Sequence, residues 1–264
     1  MKSKRTLSGK ELKEMFSFAT YWLGRSVSEV DALNVFPVPD GDTGTNMLMT
    51  MRASLEGCSR LRTTSASEVL DAMARGALAG ARGNSGLILS QIIRGMAQGI
   101  DGKEIVDAKD LVRALSLAAD HARKSMSFPV EGTILTVIRD AAIKASEMVE
   151  NGEKDIIRVL EATLDAALKS LENTPRLLEV LRNAGVVDAG GKGFCLILEG
   201  SLRYLRGEKL GHIDRKKLGE KLSGDSFVID LDEDEERYGY CTEVMLKGKK
   251  SRSGHDKKGT IRKG

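Results

Sequence analysis

The sequence predicts an all-α fold. Apolar residues return every three or four positions in segment after segment, and aromatics are only 4% while Gly (28) and Met (10) are plentiful beside Ala and Leu. That balance suits close-packed helices better than a β-sandwich. The junctions between the periodic segments are rich in Gly, Asp, Asn, Ser and Thr, the residues that cap and turn. With 264 residues and 41% hydrophobic composition, the chain can bury a sizeable core in one large domain or two small ones.

The helices follow in order. Ser8 and Glu11 form a capping-box pattern ahead of Leu12, Met15, Phe16, Ala19 and Leu23, and the helix should end near Gly24. A short helix over Val27 to Leu33 leads to the loop Asn34 to Asn46; the next helix starts at about Thr43 to Thr45 and runs to Gly57. Ser65 and Glu68 repeat the capping-box pattern before Val69, Leu70, Met73 and Ala77. The glycine-rich stretch Gly76 to Gly86 then opens into Leu87 to Ile93, where it serves either close helix packing or an anion nest.

Asp110 can cap Leu111 to Lys124, and Pro129 to Thr136 turns into a helix reaching Met148. Ile156 to Leu171 is the cleanest amphipathic helix. After Pro175, a short helix Leu177 to Leu181, a loop Gly185 to Gly193 and a helix Phe194 to Leu205 close a series of about eight helices. Short connections make neighbours antiparallel, so alternate polar loops emerge at one end.

Residues 1–210 are therefore one domain, 211–236 a charged linker, and 237–264 a strand-like start, Tyr238 to Leu246, followed by a basic, disordered tail. The formal charge of +3 is misleading. Residues 247–264 hold eight Lys and Arg against Asp256, and without them the rest is at −4, which gives no case for nucleic-acid binding. Cys58, Cys195 and Cys241 stand in no metal-ligand spacing and read as buried thiols of a reducing compartment. No uncharged stretch is long enough to span a bilayer, and a cytoplasmic location follows.

The chemistry is concentrated in Asn34 to Asn46, N-V-F-P-V-P-D-G-D-T-G-T-N. Asp40 and Asp42 flank one glycine on a loop stiffened by Pro37 and Pro39, just before a helix whose first N–H groups are unpaired. Hard oxygen ligands for Mg²⁺ thus adjoin donors for a phosphate, which suggests a nucleotide site; the bland alternative is an N-cap and an exposed turn. Gly44, Thr45 and Met51 stand where an EF-hand needs an oxygen ligand, Gly and Glu. G-V-V-D-A-G-G-K-G is no P-loop, because Gly193 stands where Ser or Thr is required.

Four motifs, at 34–47, 80–86 (G-A-R-G-N-S-G), 129–137 (P-V-E-G-T-I-L-T-V) and 185–193, resemble the N-terminal, DAK2-type (DhaL-like) ATP-binding domain of the nucleotide-binding component of bacterial fatty acid kinase, a dihydroxyacetone kinase-related family. The resemblance implies an antiparallel eight-helix barrel with ATP and two Mg²⁺ ions at one mouth. It implies that Asp40 and Asp42 ligate metal and are the catalytic pair, with Asn34 the nearest counterpart of a third metal-binding Asp. Thr43 and Asn46 would line the phosphates, Gly83, Asn84, Ser85 and Gly86 would cradle them, Thr133 and Leu135 would border the nucleotide, and Asp188 with its glycines would lie close by.

The implied partner is a separate fatty acid-binding, DegV-like protein, engaged through later domains whose start Tyr238 to Leu246 resembles; a homodimer is also open. A fatty acid is already a carboxylate near neutral pH, its ordinary pKa being about 4 to 5, so no general base is required. That suits motifs without histidine, since His121, His212 and His255 lie outside them. Alone, the chain is expected to bind Mg·ATP but to phosphorylate poorly. The competing readings are a dihydroxyacetone-type kinase and a non-catalytic nucleotide-binding module.

Overall fold

The computed structural model describes residues 3–209. The expected linker, the Tyr238 to Leu246 strand, the basic tail, Cys241, His212 and His255 lie outside the described residues.

The described chain is all-α apart from two three-residue strands. Its elements are β1 (Thr6–Ser8), α1 (Gly9–Arg25), α2 (Val27–Ala32), α3 (Thr43–Gly57), α4 (Ala66–Ala79), α5 (Gly83–Gly99), β2 (Ile105–Asp107), α6 (Ala108–Lys124), α7 (Ile134–Glu150), α8 (Ile156–Leu177), α9 (Glu179–Ala184) and α10 (Ala189–Leu205). Eight helices have 14 to 22 residues; α2 and α9 have six each. The long helices pack in the neighbour order α3, α4, α5, α6, α7, α8, α10, α1 and back to α3. Leu23, Met47, Met51, Met73, Ile92, Ile93, Leu115 and Ile138, all but inaccessible, fill the centre.

Local chemistry sets the helix starts. Ser8 and Glu11 make the expected capping box. Ser65 does not: the N–H groups of Ala66 and Ser67 already bond to the carbonyls of Glu104 and Lys103, and its hydroxyl also turns to Lys103. The box at α6 is Asp107 with Asp110, so Asp110 is its third helical residue rather than its cap. Pro175 lies inside α8 instead of ending it, because the Leu171 carbonyl that proline cannot serve accepts the Thr174 hydroxyl at 2.7 Å. Helix α10 begins at Ala189, well before Phe194, since Asp188 caps it through the Gly191 N–H at 2.7 Å.

Close approach accounts for part of the glycine pattern. A Cβ on Gly76 would lie 2.3 Å from the Ala53 carbonyl oxygen and one on Gly80 2.3 Å from the Ala53 Cβ, so these two bring α4 against α3. At the α1–α10 seam, Trp22 packs over Gly200, with the Arg203 guanidinium 3.9 Å and that of Arg25 5.3 Å from the indole ring centre.

One end of the ring is stitched by backbone. β1 pairs antiparallel with β2 through Leu7 and Val106, both buried. There Gly9 donates to the Thr64 carbonyl at 2.8 Å and Ile156 to that of Lys4 at 2.8 Å. The opposite end receives the loops before α3, α5, α7 and α10.

Candidate functional site

Contacts link those four loops in series. The Ser85 hydroxyl at the start of α5 lies 3.5 Å from the Thr43 carbonyl at the start of α3. Lys192 in the first turn of α10 pairs with Glu29 of α2 at 2.7 Å. Gly190 of α10 packs on Ile134 of α7, and Gly132 on Leu177 and Leu178.

The acidic loop is held by Asn34, which is buried. Its side-chain nitrogen donates to the Val38 carbonyl at 3.1 Å and to Asp40 Oδ1, while its oxygen accepts from the Thr43 hydroxyl at 2.8 Å. Asn34 therefore presents nitrogen, not a metal ligand, towards Asp40: it brackets the acid. Gly41, at φ +65°, turns the chain between the two carboxylates, and the Phe36–Pro37 peptide is cis.

Asp31 was not foreseen. Its Oδ1 accepts from the N–H groups of Gly44 at 2.6 Å and Thr45 at 3.1 Å, and its Oδ2 from the Thr45 hydroxyl at 2.8 Å. These first-turn donors of α3 were expected to be free for a phosphate. Asp31 occupies them, although thirteen residues upstream, so no short-range capping pattern marks it.

Burial pushes the Asp42 carboxyl upward; a hydrogen bond from Asn46 opposes this, and the nearby charges of Asp40 and Asp31 add to it. Among the described residues, no Lys or Arg forms an ion pair with Asp40 or Asp42. Among the described residues, no group of three or more His, Cys, Asp or Glu is arranged to hold a metal ion. Asp40 and Asp42 are two hard oxygen donors lacking positive compensation, and Mg²⁺ commonly takes only one or two carboxylates, completing its shell with water and phosphate. The residues present fit such an ion.

Helix α5 has the donors that α3 lacks. Its N-cap is Arg82, and no side chain caps its first turn, Gly83, Asn84 and Ser85. Gly83 has φ +57°, and a Cβ there would lie 2.4 Å from the Asn46 side-chain nitrogen; a Cβ on Gly86 would lie 2.5 Å from the Thr50 hydroxyl oxygen. Asn46 thus locks the starts of α3 and α5 together.

Thr133 caps α7: its hydroxyl donates to the Val130 carbonyl at 2.8 Å and accepts from the Leu135 N–H at 3.4 Å, while the Leu135 side chain is buried. Glu131, passed over in the same motif, accepts from the Thr136 hydroxyl and pairs with Arg123 and Arg139; these bonds hold its carboxyl at about 2 against partial burial. Asp188 is buried, and burial lifts its carboxyl to about 6 although the N–H groups of Gly191 and Ile134 pull it down. It ties the starts of α10 and α7 to each other, as a positioning group. Of the three histidines, only His121 is described; it lies in the last turn of α6 and meets Gln98 at 2.6 Å.

The DAK2 domain model matches residues 37–203. Protein YloV of Bacillus subtilis (strain 168) is 42% identical over 251 residues, 93% of this chain and 45% of that protein. Uncharacterized protein SAB1090 of Staphylococcus aureus (strain bovine RF122 / ET3-1) is 41% identical over 257 residues, 95% of this chain and 46% of the relative. The chain thus spans about half the length of these relatives. In fold it is similar to the dihydroxyacetone kinase of C. freundii in native form (TM-score 0.53, 18% identity, covering 73% of this chain and 34% of that one). The complex of that kinase with AMP-PNP and Mg²⁺ gives 0.54 at 16% identity, covering 73% and 33%. Among the described residues no helix is long and apolar enough to cross a membrane.

Proposed function

The chain belongs to the DAK2-domain family, and from that premise we propose that it is the nucleotide-binding part of a kinase that passes the terminal phosphoryl group of ATP to a fatty acid carboxylate, giving acyl phosphate. The observation that carries the reading is the pairing of an uncompensated Asp40–Asp42 loop with the uncapped start of α5, held together by Asn46 and Ser85. The fold is shared with a kinase crystallised with AMP-PNP and Mg²⁺.

Magnesium, two ions in this reading, would supply positive charge against the phosphate oxygens. Asp40 and Asp42 hold it, and Asn34 fixes the direction of Asp40. Thr43 and Asn46 line the phosphates, and the first N–H groups of α5, with the Ser85 hydroxyl, bind their oxygens. Thr133 and the backbone of Leu135 border the nucleotide from α7, whose position Asp188 sets.

A carboxylate acceptor needs no base, and the four loop motifs contain no histidine. The fatty acid is presented by a separate acyl-binding, DegV-like protein, in the cytoplasm. The likeness to dihydroxyacetone kinase favours a second reading, with a small triose as acceptor.

The test combines Mg·ATP, the acyl-binding protein loaded with fatty acid and either this chain or a full-length relative, with hydroxylamine trapping of acyl phosphate. Acyl hydroxamate that depends on the full-length relative supports the proposal. Phosphorylated dihydroxyacetone in its place supports the second reading, and nucleotide binding without any product in the full-length relative defeats both.

A further inference from the structure

The four loop motifs contain two cations, Arg82 and Lys192. Lys192 is committed to Glu29 at 2.7 Å. Arg82 is exposed, and among the described residues no hydrogen bond, ion pair or ring contact engages its guanidinium. It is the N-cap residue of α5, in extended conformation at φ −129° and ψ 141°, immediately before the Gly83 turn. Several other arginines at this end are occupied, Arg123 and Arg139 by Glu131, Arg182 by Glu179, and Arg25 by the Trp22 and Tyr21 rings, and Arg176, in the last turn of α8, belongs to none of the four motifs.

We infer that Arg82 binds the terminal phosphate of the nucleotide and so distinguishes a triphosphate from a diphosphate. This rests on the nucleotide reading of the site. The α5 N–H groups are fixed in the helix and reach only oxygens held against its first turn, whereas an arginine at the N-cap extends beyond that turn. Its planar fork matches two phosphate oxygens at once, and it carries the positive charge that the acidic loop lacks. Gly83 keeps this arrangement in place, because Asn46 fills the space that a side chain there would occupy.

The experiment measures the affinity of the chain for Mg·AMP-PNP and Mg·ADP by calorimetry, in the native form and in Arg82→Ala and Arg82→Lys. Arg82→Ala should lose about ten-fold or more in affinity for Mg·AMP-PNP while its affinity for Mg·ADP stays within about two-fold, and Arg82→Lys should fall between, keeping the charge without the fork. The residue is exposed and unbonded, so melting temperatures should not change. Equal affinities in all three forms, or equal losses for both nucleotides, would overturn the assignment while leaving the site intact. A native chain that binds neither nucleotide would overturn the underlying reading and this inference with it.

Discussion

The amide of Asn34 meets the carboxylate of Asp40 nitrogen first, leaving its oxygen to the Thr43 hydroxyl. Replacing that amide with a third acid removes a donor and sets like charges together. Asn34→Asp should therefore lower the melting temperature of the metal-free chain, by roughly 1–3 kcal/mol of stability. Added Mg²⁺ should recover more stability in the variant than in the native chain, because the new carboxylate is a ligand where the amide nitrogen was not. An identical Mg²⁺ response of the two melting curves would remove Asn34 from the metal's surroundings.

Asp42 carries a raised carboxyl pKa, so the folded state holds its proton more tightly than the unfolded chain. Stability contributed this way is present at low pH and declines as pH climbs through the unfolded value of 3.8 towards the folded one. At pH 7 the ionised group is a cost that Asp42→Asn removes. The metal-free variant should melt no lower than the native chain, yet lose Mg²⁺-dependent nucleotide binding, as should Asp40→Asn. If Asp42→Asn melts far lower, the carboxylate serves the loop rather than a metal.

Gly41 and Gly83 make a matched pair. Both have positive φ, but a Cβ at Gly41 meets nothing within 4 Å, while one at Gly83 strikes Asn46. Gly41→Ala should cost only about 1–2 kcal/mol of backbone strain. Gly83→Ala should cost more and also weaken nucleotide binding, because the α5 start must move away from α3. Denaturant titration of both variants measures the difference, and equal losses would show that the Asn46 contact relaxes freely.

For Asp188 the sign runs as for Asp42, with a folded value of about 6 against 3.8. Stability should decline from pH 4 to pH 6 on this account and be level above it. Asp188→Asn keeps an oxygen for the Gly191 and Ile134 N–H groups without a charge to bury, so its melting temperature should lack that decline. Asp188→Ala strands both donors and should cost about 1–3 kcal/mol. Parallel pH curves for the native and Asn proteins would assign the pH response elsewhere.

Helix-length periodicity is visible in any linear reading, which is why the long helices were legible, as was the Ser8–Glu11 box. The β1–β2 pair was not, since three-residue strands carry no period and join positions about a hundred residues apart. The acidic loop and the α5 turn were legible because their chemistry is local. Asp31 and Glu131 were not: one caps a helix from thirteen residues away, and the other is held by Arg123 and Arg139 on two different helices. Sequence could suggest that the amide of Asn34 was near a metal. Only the positions of Thr43 and Val38 showed which way it faces.

The chain has one tryptophan, and it lies where α1, the first long helix, meets α10, the last long helix among the described residues. The lone indole thus sits within reach of two guanidinium groups at that seam. Any parting of those helices must change the colour or intensity of its light, so the closure of the whole assembly can be watched in unlabelled protein.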